Sequence, residues 1–244
     1  SVWRYVGCYL APGIDVGSRV IALVNPQLYE KNGRLSLNIQ QLNPVGLGDL
    51  LARVEMLRQS LHAEGLFAPE RKRPLPTLPG LIGLITGKDS DAQKDVIRNA
   101  TLRWPAAQFR VLQTQVQGPQ APAAVTRALA ELDADPQVEV IVIARGGGAL
   151  EEVILPFSDE ALVRAVAACQ TPVVSAIGHE ADRPILDDVA DLRASTPTDA
   201  AKRIVPDATE ELAMINEGRR RLAAGVQRLL ATEAERLQSL RSRP

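Results

Sequence analysis

The chain has 244 residues, of which 45% are hydrophobic and 23% are charged, and its formal net charge is −1. These values are ordinary for a soluble globular chain of one or two domains, and they exclude a nucleic-acid interface spread over a globally basic surface. A nucleic-acid partner would need a local patch, and an aromatic content of 3% provides little for extensive base stacking.

The sequence carries no signal for a membrane or for secretion. It has no apolar run of about 20 residues, so we expect no membrane-spanning helix. Its start lacks a charged segment followed by a long apolar core, so we expect no signal peptide. Cys8 and Cys169 lie far apart and belong to no pairing motif. Together these features predict a protein of the reducing cytoplasm.

The first 45 residues are predicted to form short strands joined by tight turns. Apolar and β-branched runs indicate strands at residues 2–10, 18–24 and 35–42. Turn-forming residues separate them at Pro12-Gly13 and Lys31-Asn32-Gly33.

Residues 46–80 are predicted to be a connecting helix followed by a proline-rich linker. Within 47–66, apolar residues recur at helical spacing and predict the packed face of the helix: Leu50, Leu51, Val54, Leu57 and Leu61. His62 lies among polar residues of this segment and is predicted to be solvated. In the linker, the basic triplet Arg71-Lys72-Arg73 either contacts a phosphate backbone or is solvated.

Residues 81–205 are predicted to form an α/β domain. Strand patterns lie at residues 81–87, 109–116, 138–144 and 173–178. Helical patterns lie between them, at residues 92–103, 121–132 and 159–168. This alternation implies right-handed crossovers and a parallel sheet, so the carboxyl ends of the strands meet at one edge.

The strand at 138–144 runs directly into Arg145 and three glycines, Gly146, Gly147 and Gly148. Glycines let the backbone turn tightly and approach a ligand closely, and ligands of open parallel sheets bind at the carboxyl ends of strands. The guanidinium adds a permanent charge with a fork geometry suited to phosphate. The motif indicates an anionic substrate, and its structural alternative is an ordinary glycine-rich loop.

The strand at 173–178 runs into His179 and, three residues later, Asp182. An imidazole near its unperturbed pKa transfers protons or, when charged, holds a phosphate, and a nearby carboxylate can fix its tautomer. The structural alternative is that His179 caps the following helix.

A helix is predicted to follow the turn after Gly87, which reads Lys88-Asp89-Ser90-Asp91. Ser90 or Asp91 is predicted to cap it, which would direct free backbone N–H groups at an anion. Asp95 falls about one turn into the helix. It is either a site residue or a first-turn acid favoured by the helix dipole.

Residues 206–244 are predicted to be the start of a helical coiled coil. Apolar residues are spaced there by threes, fours and sevens: Leu222, Val226, Leu229, Leu230, Leu237 and Leu240. Arg219-Arg220-Arg221 is predicted to be a solvated face. The heptads are too few to predict an oligomeric state.

Taken in order, these motifs resemble the large subunit of bacterial exodeoxyribonuclease VII. The motifs that carry the resemblance are Gly83-Leu-Ile-Thr-Gly with Asp95, Val116-Gln-Gly, Arg145-Gly-Gly-Gly with Glu151-Glu152, Pro156-Phe-Ser-Asp-Glu160, Ser175-Ala-Ile-Gly-His-Glu-Ala-Asp182 and Ala190-Asp-Leu-Arg-Ala-Ser-Thr-Pro-Thr-Asp-Ala-Ala201. The resemblance implies a fragment truncated at both ends. It also implies a partial OB-fold barrel over 1–45 that holds single strands, and an α/β nuclease domain over 81–205.

The resemblance further implies hydrolysis of single-stranded DNA from both ends to short oligonucleotides. It carries catalytic roles onto Asp95, Arg145, His179 and Asp182. We expect Arg145 and the backbone of Gly146–Gly148 to hold the scissile phosphate. We expect His179 to act as general acid or base or as a second cationic clamp, Asp182 to orient it, and Asp95 to position or activate water. Thr196 and Thr198 either contact phosphate or cap a helix.

Cofactors and partners are expected from the same resemblance. Either no cofactor is required or Mg²⁺ is used, with Glu151, Glu152, Asp182 and Asp187 as the candidate oxygen ligands. For Glu152 the favoured alternative is a surface or capping role. The expected partners are single-stranded DNA and several copies of the small subunit, bound through the C-terminal helical region.

Two alternative functions are compatible with the sequence. One is an inactive fragment that only binds single strands, and the other is a nucleotide- or sugar-phosphate-binding enzyme on a doubly wound sheet. Against the second, the chain has no G-x-G-x-x-G or P-loop lysine pattern. One departure from the family also stands out: Lys88-Asp89-Ser90-Asp91 replaces the usual small residues with proline and glycine, and Asp91 adds a negative charge near the expected phosphate.

Overall fold

The computed structural model describes residues 20–29, 34–44, 47–147, 150–177 and 183–242. Its contacts divide the chain into two compact units, Ser1–Ala63 and Glu64–Pro244. Within the described ranges, no helix combines the length and the apolar character needed to cross a membrane.

The first unit contains a β-hairpin followed by a helix. Strands β1 (Val20–Tyr29) and β2 (Arg34–Pro44) pair antiparallel, with an irregularity between Leu23 and Val24. β1 continues beyond the predicted end at residue 24: its pairing with β2 runs on through Pro26, which lies opposite Leu37. The predicted strand 2–10 and both predicted turns lie outside the described residues, so the partial OB-fold barrel stays a prediction.

Helix α1 (Leu47–Ala63) confirms the predicted connecting helix. Leu61 is fully buried, and Leu50, Leu51, Val54 and Leu57 are half-buried on the same face. His62 is exposed, as its polar neighbours indicated.

The second unit is built around a five-stranded parallel sheet with the strand order β4-β3-β5-β6-β7. The strands are β3 (Ile82–Thr86), β4 (Phe109–Gln113), β5 (Val140–Ala144), β6 (Val173–Ala176) and β7 (Leu192–Arg193). After β3 the chain forms β4 at the edge of the sheet, and then β5 on the other side of β3. The parallel sheet predicted from the alternating pattern is therefore confirmed.

Seven helices of the second unit are described. They are α2 (Asp91–Arg103), α3 (Ala121–Asp133), α4 (Leu150–Ile154), α5 (Glu160–Ala168), α6 (Ile185–Val189), α7 (Pro197–Ile204) and α8 (Ala208–Arg241). Helices α2 and α7 pack together on one face of the sheet, and α3 and α5 pack together on the other.

Alternating residues of β3 form the core on both faces of the sheet. Ile82 and Leu84 are fully buried in the cluster under α2 and α7. Gly83 faces α3, where an added Cβ would lie 2.8 Å from Leu132 Cδ1. That distance is too short for a methyl group, so glycine lets α3 lie close against the centre of the sheet.

The structure differs from the predicted elements at the edges of the sheet. β4 ends at Gln113, three residues before the predicted end, because its one neighbour β3 ends at Thr86 in the paired register. Between residues 183 and 205 the sequence pattern missed α6, β7 and α7, which have only five, two and eight residues.

The proline-rich linker is attached to the amino-terminal end of the sheet. The Lys72 ammonium donates hydrogen bonds to the carbonyl oxygens of Asp188, at 2.7 Å, and Ala190, at 2.5 Å. The Arg73 N–H donates to Asp191 Oδ1 at 2.7 Å. Both predicted alternatives for the basic triplet are therefore wrong for Lys72, which is partly buried and stabilises the carboxyl end of α6.

Helix α8 confirms the predicted helical region after residue 206. Asp207 caps it through a hydrogen bond from the Thr209 N–H, and Arg103 of α2 pairs with Asp207 at 3.3 Å. None of the side chains described in α8 is buried, and its apolar residues are exposed, among them Leu212, Leu222, Val226, Leu229, Leu237 and Leu240. Coiled-coil pairing stays a prediction.

Candidate functional site

A cleft lies at the carboxyl ends of β3 and β5. At this point the order of the strands switches, because the chain adds β4 on one side of β3 and then β5 on the other side. In open parallel sheets this switch leaves a crevice between the loops, and ligands bind there. The cleft has two lobes that share a floor of Asp91, Arg145, Gly146 and Gly147.

The two lobes have different sizes and linings. The glutamine lobe, of about 840 Å³, is lined by Gly87, Lys88, Ser90 and residues 113–117. The threonine lobe, of about 320 Å³, is lined by Ala92, Asp95, Ile177 and residues 195–198. The strand-end motifs of β3 and β5 thus meet in one cleft together with the segment before α7.

Arg145 lies on the floor of both lobes, and its side chain is only 1% exposed. Its Nη2 contacts Glu152 Oε2 at 3.3 Å, while Nε and Nη1 are buried and find no hydrogen-bond partner among the described residues. Burial lowers the pKa of Arg145, and the Glu152 carboxylate acts in the opposite direction. A guanidinium nevertheless remains charged in proteins, so the cleft floor carries a cation with unused donors.

Glu152 pairs with Arg145, and the sequence analysis did not predict this pairing. Its side chain is 54% exposed, and it reaches Arg145 from α4 rather than capping a helix. The two residues are seven positions apart, and the glycines between them let the chain turn back. That spacing across a glycine-rich turn is a usable signal for an ion pair, although the sequence pattern alone also fits a surface acid.

Helix α2 begins beside the cleft and is capped as predicted. Ser90 Oγ accepts a hydrogen bond from the Gln93 N–H at 3.1 Å and shares a second one with Thr86 Oγ1 at 2.7 Å. Asp89 adopts a left-handed backbone with φ of 49° in the preceding turn. The first turn of α2 therefore lines the cleft at Asp91 and Ala92, with the Gln93 N–H satisfied by Ser90.

Asp95 lies one turn further along α2 and lines the threonine lobe. Asp95 is an exposed residue, and its backbone carbonyl accepts a hydrogen bond from Asn99 Nδ2 at 2.7 Å. Asp95 and Arg145, which the sequence analysis expected in one site, therefore line the same lobe.

Helix α7 also begins at the threonine lobe. Thr196 caps it by accepting a hydrogen bond from the Asp199 N–H at 3.0 Å, so the capping alternative for Thr196 is confirmed. Thr196 and Thr198 both line the lobe. Burial raises the pKa of Asp199, but hydrogen bonds from Ser195 and Arg203 outweigh it and lower that pKa overall.

Asp187 lies in a buried ion pair and not in the cleft lining. Its Oδ1 accepts a hydrogen bond from Ser175 Oγ at 2.5 Å, and its Oδ2 accepts one from Arg193 Nε at 2.9 Å. Both oxygens are engaged, so Asp187 fits a structural link between β6 and β7 better than a metal ligand. Within the described ranges, no three His, Cys, Asp or Glu side chains form a group able to hold a metal ion.

Three predicted site residues, Gly148, His179 and Asp182, lie outside the described residues, and so does the side chain of Glu151. Gly146 and Gly147 are described and line both lobes. A Cβ added at Gly146 would meet nothing within 4 Å, so glycine there leaves the floor open to a ligand.

The arrangement is suited to a ligand that carries an anionic group beside other hydrogen-bonding groups. The buried Arg145 cation lies on the shared floor beside the amino end of α2, and the amino end of α7 lines the threonine lobe; each favours negative charge. The hydroxyl and carboxylate groups of the threonine lobe add hydrogen-bonding and proton-accepting capacity beside that charge.

Comparisons with known proteins agree with this geometry. The family model described as "Exonuclease VII, large subunit" matches residues 66–244. The exodeoxyribonuclease 7 large subunit of Clavibacter michiganensis is 59% identical over all 244 residues, and that of Thermobifida fusca is 57% identical over 233 residues, or 96% of the chain. The same subunit of Streptomyces griseus is 54% identical over 244 residues.

The matches cover nearly all of this chain but only part of each relative. The aligned region is 56% of the Clavibacter michiganensis protein, 57% of the Thermobifida fusca protein and 60% of the Streptomyces griseus protein. The chain therefore spans little more than half the length of these curated relatives.

Proposed function

The chain belongs to the exonuclease VII large-subunit family, and on that premise we propose that its cleft binds and hydrolyses the phosphodiester backbone of single-stranded DNA. The proposed activity is exonucleolytic, from both ends of the strand, and it yields short oligonucleotides. The names of the relatives and the chemistry of the cleft support the proposal independently.

The buried guanidinium of Arg145 is the observation that carries the proposal. A charged group that is 1% exposed, with two nitrogen atoms unpartnered among the described residues, is costly unless a ligand satisfies it. A phosphate diester supplies one negative charge and two acceptor oxygens, which match the fork of the guanidinium. The first turns of α2 and α7 add amide dipoles of the same sign.

The remaining roles follow from the positions around this phosphate. Asp95 accepts a proton from the attacking water, whose oxygen forms a new bond to phosphorus while one P–O ester bond breaks. His179 gives a proton to the leaving oxygen or acts as a second cationic clamp, and Asp182 orients it. Gly146, Gly147 and Gly148 let the backbone approach the phosphate, with Thr196 and Thr198 at the rim.

No step is assigned to a metal ion. Asp187 is buried, its two oxygens accept hydrogen bonds from Ser175 and Arg193, and it lines neither lobe of the cleft. We therefore propose that Arg145 supplies the charge stabilisation in the cleft.

Partners and location are proposed on the family premise. The exposed apolar residues of α8 suit packing against further helices, and we assign the small subunits to this helix. Residues 1–45 are assigned to single-strand binding as part of an OB-fold. A cytoplasmic location is supported by Cys169, a free and buried thiol whose pKa burial raises to about 12.

The test is cleavage of end-labelled DNA in EDTA by the full-length large subunit assembled with its small subunit. We expect loss of single-stranded but not duplex DNA, and its abolition in the His179→Ala variant. The matched control is His62→Ala, because His62 is the other of the two histidines and is exposed on α1.

Each outcome separates the competing functions. Unchanged cleavage by His179→Ala would overturn the assignment of His179. Cleavage that appears only with added magnesium would overturn the metal-free step. Binding of single strands without cleavage in either buffer would favour a binding-only role, and saturable binding of a mononucleotide would favour a nucleotide enzyme.

A further inference from the structure

The glutamine lobe is not explained by phosphate binding. It adjoins Arg145, but at about 840 Å³ it is far larger than a phosphate group requires. Cavities of roughly 300–1,000 Å³ hold ligands the size of a nucleoside or larger. Its lining therefore has to be considered as a second recognition surface.

The lining of this lobe is mostly polar without being charged. Gln113 is the last residue of β4, Gln115 and Gln117 follow it at every second position, and all three are exposed. Lys88 is the one cation that lies in this lobe outside the shared floor among the described lining residues. A polyphosphate would lack counter-charge in such a lobe, whereas uncharged donors and acceptors suit the edges of nucleobases.

The segment is held in place by its own contacts. Gln115 Nε2 donates a hydrogen bond to the Gln117 carbonyl at 2.9 Å, and Gln113 Nε2 donates to Gln93 Oε1 at 2.9 Å. Val116 is buried against Gly87, where an added Cβ would lie 3.1 Å from its Cγ2. Gly118 completes the turn with φ of 78°. A braced loop presents its side chains at low conformational cost.

We propose that the glutamine lobe is a nucleoside subsite, which binds the base next to the phosphate held by Arg145. Gln117 and Gln113 hydrogen-bond the base edge. An amide carries both donors and an acceptor, so it serves any of the four bases and gives affinity without sequence preference. None of the described lining residues is aromatic, so stacking does not contribute in the way it does in many single-strand sites.

This inference rests on the proposed function, and a base-deletion experiment separates the two. Binding of fluorescent dT10 is compared with binding of a ten-residue abasic strand that keeps every phosphate. The variants are Gln117→Ala and Arg145→Met. Gln113 and Gln115 are left intact because both brace the loop. Gln137→Ala is the matched control, since its exposed side chain lies before β5 at the opposite end of the sheet.

We expect Gln117→Ala to bind dT10 about threefold to tenfold more weakly and the abasic strand unchanged. Arg145→Met should weaken both strands, and Gln137→Ala neither. Equal losses on both strands, or no loss on dT10, would overturn the nucleoside subsite alone. If the unaltered protein binds neither strand, the proposed function itself fails.

Discussion

At the amino-terminal end of the sheet, three carboxylates hold backbone N–H groups, whereas at the carboxyl end a buried guanidinium keeps two nitrogen atoms without a described partner. Asp133 accepts from the Thr171 N–H at 2.8 Å, Asp191 from the Val173 N–H at 2.7 Å and Glu139 from the Gly80 N–H at 2.9 Å. Among the described residues, the Arg145 side chain has one hydrogen bond, to Glu152 at 3.3 Å.

The difference separates stability from function within one sheet. Paired polar groups contribute favourable free energy to folding, while a buried and incompletely paired charge reduces it. A protein retains such a charge where a ligand completes the pairing, and stability is then lower than the fold permits. The amino-terminal end therefore stabilises the domain, and under the proposed function the carboxyl end keeps its donors for a phosphate.

Arg145→Met is the substitution with the largest expected effect. Removing one preorganised charge from a phosphate site lowers kcat by about 100-fold or more. Because the apolar side chain replaces a buried and incompletely paired charge, the free energy of unfolding should stay equal or rise. Cleavage assays and urea unfolding of the same preparation measure both. A strongly destabilised variant would show that Arg145 is a structural residue.

Lys72→Met should give the opposite result at the amino-terminal end. The change leaves the carbonyl oxygens of Asp188 and Ala190 without their donor, so we expect the free energy of unfolding to fall by about 1–3 kcal/mol. Cleavage measured below the unfolding transition should be unchanged. A loss of cleavage with unaltered stability would mean that the linker takes part in binding DNA.

Asp133, at the amino-terminal end of the sheet, and Asp95, in the cleft, extend the comparison of the two ends to carboxylates. Burial raises the pKa of Asp133, but hydrogen bonds from Thr171, Cys169 and Gln170 outweigh it, and the pKa is lowered from 3.8. A carboxylate whose pKa is lowered by folding stabilises the protein above its unfolded pKa and loses this effect as pH falls through the folded value. Asp133→Asn should cost about 1–2 kcal/mol at pH 7.

The matched variant is Asp95→Asn, which lies on the exposed side of α2 in the cleft. Its free energy of unfolding should change by less than about 0.5 kcal/mol, while cleavage falls. Unfolding curves from pH 7 to pH 2 should show the difference between the original protein and Asp133→Asn shrinking toward acid. A difference that is constant with pH would contradict the role of the Asp133 charge.

The sequence was sufficient for the features that depend on local pattern. Strands β3, β5 and β6 follow from runs of buried apolar residues, the half-buried β4 follows from its apolar residues, and Ser90 follows from capping chemistry. Because parallel strands end at one edge, the convergence of Asp95 and Arg145 followed from the topology without any knowledge of side-chain contacts.

Features that depend on distant contacts did not follow from the sequence. Lys72 bonds carbonyl groups more than 110 positions away, and no local pattern marks that partnership. The end of β4 is set by the length of β3, not by the polar alternation that continues to Gln117. Asp187 resembled a metal ligand in sequence because its partners Ser175 and Arg193 are brought to it only by the fold.

Direct neutralisation of a phosphate by Arg145 is tested most directly by the salt dependence of DNA binding. The dissociation constant of dT10 is measured against sodium chloride for the original protein, Arg145→Met and Lys72→Met. Loss of one contact with a single strand reduces the slope of log K against log salt by about 0.7. We predict that reduction for Arg145→Met and an unchanged slope for Lys72→Met. Equal slopes for the original protein and Arg145→Met would contradict the account.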